Sequence, residues 1–363
     1  MSKAAELANL IGNINAGGGG VNRNVIINGN MSVAQRGTSF TGLGGSTGAV
    51  YTLDRFHTFD GATAGRATVT QDSSAPSGFA NSLKLACTTA DTSIAAGEIF
   101  VLAQRIEGQN LQAFAKGTSD AKPFSLSFYA KANASKTYVA ELFDIDNSRH
   151  VGKTFTVGTD WARHEITFPA DTTGAFGDDA NRSLDVSIWL HGGSTYTGGT
   201  LGTVWQAEDA DDRAAGIGSF FSSTDNTFFI TGLQLEVGQN PTEFEHKPFA
   251  QDLFESQRYY FKWLSNTTYD VLGTGHYGSD TAFFLSYELP ITMRAEPTIA
   301  ESGDWRVYTS GGVAVTSGPS LNRATPNNVS LEFTTGDNND IGQGAFVSNN
   351  NDADAFIEFK AEL

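Results

Sequence analysis

Metal binding and acid–base catalysis near neutral pH fall first to histidine, and the chain carries six: His57, His150, His164, His191, His246 and His276. No two stand at the i,i+4 spacing that would put both rings on one helical face, and no phosphate-cradling Walker-type loop occurs. They read as surface or turn histidines. Four acidic loops, at residues 177–183, 207–213, 336–340 and 349–354, cluster the oxygen ligands that hard cations prefer, but none has EF-hand spacing. Solvated charge that deters edge-to-edge association is the stronger explanation, so neither a cofactor nor a structural Ca²⁺ is expected. A glycosidase needs two carboxyl groups roughly 5–9.5 Å apart, which spacing in a sequence does not reveal. No catalytic residue is assigned.

Aromatic side chains offer a different chemistry. Trp189 falls on the non-core face of its strand, with His191 two residues on and Tyr129 as a candidate neighbour. An exposed ring there would stack on a sugar; it would equally suit a subunit interface or cover by a loop of the same chain. Toward the C-terminus Tyr269, His276, Tyr277, Trp305 and Tyr308 accompany Asn-rich loops, with Trp305 the further ligand-binding candidate.

The elements that would position these groups are strands. Phe124, Leu126, Phe128 and Ala130 alternate with Ser125, Ser127, Tyr129 and Lys131, the pattern of a strand with one core face. Leu184, Val186, Ile188 and Leu190 alternate likewise with Asp185, Ser187, Trp189 and His191. Further strands are expected near 67–71, 81–88, 98–108, 138–143 and 164–168, and a first one near 24–28 ending in an Asn28-Gly29 turn. With 40 glycines and 9 prolines the chain is all-β in class. The expected body is a jelly-roll β-sandwich over residues 24–250.

Residues 227–260 mark the end of that body. Phe229, Leu233, Leu235 and Val237 alternate with Gln234 and Glu236 as a closing strand, and a short helix follows at 251–258 with Leu253, Gln257 and Tyr260 on one face. That face is expected to be covered. A smaller β-sandwich tip occupies 251–363, closed by Ile357, Phe359, Ala361 and Leu363 on one face of a final strand. Residues 1–23 form an N-terminal arm, with Ala4, Leu7 and Ile11 on one helical face and the run Gly17 to Gly20 as a hinge.

A net charge of −17 argues against a nucleic-acid partner. The single Cys87 rules out an intrachain disulfide and, alternating with Leu83 and Leu85, reads as a buried small hydrophobe. No apolar run is long enough for a membrane span, and no export signal is visible.

Three stretches together, NVIINGNMSVAQRG with YTLDRF soon after, AQRIEGQNLQAFAKGTSDAKPFSLSFYAKA, and GLQLEVGQNPTEFEHKPFAQDLFESQRYYFKW, resemble the carbohydrate-binding-module-like jelly-roll domain of bacteriophage tail-fibre and related virion proteins. The segment YELPITMRAEPTI looks like the opening of their tip module. The resemblance implies a non-enzymatic fibre or spike subunit, usually a homotrimer, that attaches to other tail or head proteins by its N-terminus and meets a host-surface glycan or protein. Such a protein would reside in the virion, most naturally the tail, after assembly in the host cytoplasm. The chain lacks the heptads or repeats of a long shaft, which leaves a short tail fibre, an accessory tail protein or a head fibre open; an accessory virion protein without receptor binding is the first rival reading, and a glycan depolymerase using two of the many carboxylates is the second.

Overall fold

The computed structural model describes residue 3 and residues 22–45, 47–61, 63–309, 313–336 and 339–363. The arm residues Ala4, Leu7 and Ile11 lie outside the described residues. The chain forms two compact units, residues 1–252 with Leu363, and residues 253–362. The sequence pattern alone puts the division at 250/251. No helix among the described residues is long and apolar enough to cross a membrane.

Thirteen strands build the first unit: β1 (Ser39–Leu43), β2 (Thr47–Tyr51), β3 (His57–Gly61), β4 (Arg66–Asp72), β5 (Ser82–Thr89), β6 (Ile99–Glu107), β7 (Phe124–Ala132), β8 (Lys136–Asp144), β9 (Arg149–Val157), β10 (Ala162–Phe168), β11 (Arg182–Gly192), β12 (Gln206–Ala207) and β13 (Thr227–Val237). Six form one antiparallel sheet in the order β1-β4-β5-β13-β7-β10, and seven form the other in the order β12-β9-β8-β11-β6-β3-β2. The chain repeatedly switches sheet, which is the winding of a jelly roll. Alternation explains the packing. Phe124, Leu126 and Phe128 from one sheet meet Tyr138, Leu142, Leu184, Val186 and Ile188 from the other in a single apolar core, and Cys87 is buried with them. Phe114 stacks on Phe124 with ring centroids 4.1 Å apart.

Two expectations change in detail. Residues 24–29 make no regular strand; they run beside β13 through Val25 N to Leu235 O (3.0 Å) and Leu233 N to Gly29 O (3.0 Å), while Gln104 brackets Ile27 at both its N–H and its C=O. In β13 the register slips between Thr231 and Gln234, where Gly232 takes φ +66°. This bulge reverses the pleat, so Phe228 and Ile230 enter the core before it and Leu233, Leu235 and Val237 after it. Phe229 consequently faces outward, beneath Lys84 and Lys131.

The helix spans Phe249–Gln257. Within it Asp252 and Ser256 are buried and Leu253 and Gln257 half-buried, while Tyr260, also buried, belongs to the strand that follows. The covered face is thus rotated slightly from the expected one.

The second unit contains β14 (Tyr260–Leu264), β15 (Val271–Tyr277), β16 (Ala282–Glu288), β17 (Thr298–Ser302), β18 (Trp305–Tyr308), β19 (Val313–Ala324), β20 (Asn328–Thr335), β21 (Gly344–Asn349) and β22 (Phe356–Lys360). It is all-β as expected, but its strands do not form a second sandwich: β15-β16-β20-β19-β18-β21 close into a barrel, and β14-β22-β17 form a separate small sheet. Closure removes the two free edges a six-stranded open sheet would leave. Ile357, Phe359 and Ala361 are buried, as their alternation implies.

Candidate functional site

The outer face of the seven-stranded sheet carries a cleft of about 300 Å³. Register explains why it exists. Antiparallel pairing lines up three cross-strand rows: Arg105–Asp185–Phe143, then His57–Ala103–Ser187–Glu141, then Phe59–Val101–Trp189–Val139. The middle row has only Ala103 and Ser187 at its centre, between bulkier rows on both sides, so the sheet itself leaves a depression. Ile99, Ile145, Arg182, Glu208 and Arg213 complete the lining.

Beside the cleft lies a buried ionic cluster. Trp189 is fully buried, and its Nε1 donates to Glu141 Oε2 at 2.7 Å. Arg213 donates to both oxygens of the same carboxylate, Nε to Oε1 at 2.8 Å and Nη2 to Oε2 at 2.9 Å, and His150 Nδ1 lies 3.3 Å from Oε1. Burial alone would raise the Glu141 pKa; the Arg213 charge, the nearby His150 ring and the hydrogen bonds from Arg213 and Trp189 outweigh it and hold the carboxyl at about 2. The Arg213 guanidinium also sits 4.3 Å from the Phe143 ring centroid and 5.1 Å from that of Trp189.

At the other end Arg182 forks onto Asp185, with Nε to Oδ1 at 2.6 Å and Nη2 on Oδ2. Burial pushes the Asp185 pKa up against the pull of Arg182. Burial, and after it Arg105, Arg55 and Arg182, presses His57 well below the usual histidine range, so its ring is neutral. Arg105 Nη1 donates to Leu363 O. Phe59 is the aromatic ring open to solvent here, at 38% exposure. The cleft combines one exposed apolar ring with hydroxyl, guanidinium and carboxylate groups, a lining suited to a polyhydroxylated ligand.

The four ligand-binding candidates from the sequence do not converge. Trp189 lines the cleft but is covered by its own chain: Tyr196 packs 5.3 Å away, with Leu201, Ala214 and Ile217 nearby. The register of β11 slips between Trp189 and His191, so His191 pairs with Phe100 and turns toward Phe221, a core ring 5.2 Å away. Its Nε2 meets Glu98 Oε2 at 3.0 Å and its Nδ1 meets Ser219 Oγ at 2.8 Å. Tyr129 belongs to the opposite sheet, half-buried against Phe79 at 5.4 Å. Trp305 is a core residue of the barrel unit, packed on Trp263 and Phe333.

The histidines also depart from expectation: His57, His150 and His191 are fully buried, and only His246 and His276 are exposed. The string GGSTG at 44–48 has nucleophile-elbow spacing; its Ser46 lies outside the described residues, and the element that follows is the strand β2, where an elbow leads into a helix. In the acidic loop 207–213, Asp209, Asp211 and Asp212 bring oxygens within 4.8 Å of one another. Asp212 uses both of its oxygens to pin the loop, on Thr200 N and Gln206 Nε2. His57 was read from the sequence as a surface or turn histidine, and Phe59, Arg105 and Arg213 were not among the ligand-binding candidates. The outward parity of Asp185, Ser187 and Trp189 was legible, but not which strands flank them.

No family model matches the sequence, and no curated protein matches it. Among solved structures, the enzymatically active domain of bacteriophage CBA120 tailspike protein 4 is 14% identical with a TM-score of 0.30, over 59% of this chain and 21% of that one. This chain therefore matches about a fifth of the tailspike domain. The family 11 carbohydrate-binding module of a Clostridium thermocellum cellulosomal cellulase is 12% identical with a TM-score of 0.27, over 56% and 99%. TmCBM61, solved with β-1,4-galactotriose, is 11% identical with a TM-score of 0.28, over 59% and 99%. At these values the likenesses transfer no function to this chain.

Proposed function

We propose that the protein is a non-enzymatic bacteriophage virion subunit, a homotrimeric tail fibre or spike whose jelly-roll body binds a host-surface glycan in the cleft on the seven-stranded sheet. The observation that carries the binding part is the cleft floor, where Ala103 and Ser187 leave room beside the exposed Phe59 and the polar groups of Arg182, Asp185 and Glu208. An apolar ring flanked by fixed hydrogen-bonding groups takes a sugar's C–H face and its hydroxyls together. The virion part rests on the ordered motifs of the sequence, among them NVIINGNMSVAQRG and GLQLEVGQNPTEFEHKPF. Several weak sites held on one trimer would supply avidity that a single cleft lacks.

A non-enzymatic reading is favoured because the two lining carboxylates are engaged, Asp185 by Arg182 and Glu208 by Arg213 at 3.3 Å. The test is binding of the purified full chain to host cells and to an array of envelope glycans, beside Ser187→Phe, which fills the floor. Binding by the wild type, competition with phage adsorption, and loss in a Ser187→Phe protein of unchanged circular dichroism support the proposal. Absence of cell and glycan binding favours an accessory virion role, and release of reducing ends favours a depolymerase. Sedimentation as a monomer would remove the trimer.

A further inference from the structure

We propose that Asp91, Glu98 and His191 form a divalent transition-metal site, of the kind that takes Zn²⁺, on the core side of the seven-stranded sheet and separate from the cleft. The three residues come from the 91–98 connection and from β11, and each offers one ligand atom, all lying within 4.8 Å of one another. All three are buried, while residues 92–97 between the two carboxylates are exposed or partly so, which gives an ion a short path from solvent.

Imidazole nitrogen with two carboxylate oxygens is a mixed set that suits a borderline ion and leaves a fourth position for water. The spacing needs little change. Two ligand atoms each about 2.1 Å from a tetrahedral ion stand about 3.4 Å apart, and His191 Nε2 and Glu98 Oε2 are now at 3.0 Å.

The burial of two neighbouring carboxylates is the second argument. Asp91 and Glu98 each bring a carboxylate oxygen within 4.8 Å of the other and of a His191 nitrogen, and two carboxylates held that close together out of solvent gain from a cation between them. The outer contacts needed to hold the ligands are already in place. Asp91 accepts from Ser93 N at 3.1 Å, and from Thr63 Oγ1 and Ala64 N at 3.0 Å each. Glu98 Oε1 accepts from Ala95 N at 3.0 Å, and His191 Nδ1 faces Ser219 Oγ at 2.8 Å. On metal binding the His191 proton moves from Nε2 to Nδ1 and is donated to Ser219 Oγ, freeing Nε2 to coordinate.

The experiment uses the full chain, stripped with chelator and titrated with ZnCl₂ by calorimetry in two buffers of different ionisation enthalpy, with thermal unfolding in parallel. The expected result is one tight equivalent and a raised Tm. Glu98→Gln keeps the size and hydrogen-bonding capacity of the side chain but is a poor ligand, so affinity should fall at least tenfold and the Tm gain should vanish. His191→Gln should behave likewise. No tight equivalent in the wild type, or one that survives both substitutions, overturns the proposal and leaves the cluster as a hydrogen-bonded clamp.

Discussion

Trp189 Nε1 donates to Glu141 Oε2 at 2.7 Å, and both side chains are wholly buried within the sheet that floors the cleft. The tryptophan is therefore a hydrogen-bonding strut as well as a ring. Trp189→Phe keeps most of the ring but withdraws a donor from a charged, desolvated acceptor. The expected loss is about 1–3 kcal/mol, read from the urea midpoint of the body's unfolding transition. Trp189→Ala would add a cavity, for a total of about 3–5 kcal/mol, and so cannot serve as a binding-only variant.

Glu141 makes a pH prediction with a definite sign. Its pKa of about 2 in the folded chain lies below the ordinary value of 4.5. A depressed carboxyl contributes its stabilisation in full above the unfolded pKa and loses it as pH falls through the folded one. Wild type minus Glu141→Gln should thus be flat above pH 5 and decline by about 3 kcal/mol between pH 4.5 and 2. A difference that stays flat to pH 2 would show that Arg213 and Trp189 do not hold the charge.

What the sequence made legible follows the pleat, and what it hid follows breaks in it. Leu184, Val186, Ile188 and Leu190 all face the core as their alternation requires. Phe229 and His191 were misplaced because each lies across a bulge from the residues that set its expected face, and one inserted residue reverses every side chain beyond it. The cleft was hidden for a different reason. Its floor is a set of cross-strand neighbours, such as His57 opposite Ala103 and Ala103 opposite Ser187, far apart in sequence. The barrel was hidden too, since closure depends on β15 meeting β21, a pairing that no local pattern encodes.

Lys116 is fully buried beside two carboxylates, with Nζ 2.6 Å from Asp144 Oδ2 and 3.1 Å from Asp171 Oδ2, and it also donates to Thr173 O and Gly174 O. Lys116→Met fills similar volume but leaves those acceptors without their cation. The expected cost is about 3–5 kcal/mol. Adding Asp144→Asn should recover part of it, because one uncompensated charge then disappears. Equal stability of the single and double variants would mean the network is not coupled through Lys116.

Gly29 tests whether the segment before β1 is built into the body. A Cβ at Gly29 would stand 2.1 Å from Leu233 O, a main-chain atom fixed in β13, and Leu233 N donates to Gly29 O at 3.0 Å. Neither partner is a side chain that can swing aside, so Gly29→Ala must separate the segment from the closing strand. We expect a loss of about 3 kcal/mol in the body's unfolding transition. Gly97→Ala is the matched control, since a Cβ there meets nothing within 4 Å, and it should stay within about 0.5 kcal/mol of wild type. Equal, small effects at both positions would show that residues 24–29 rest on β13 without being required by it.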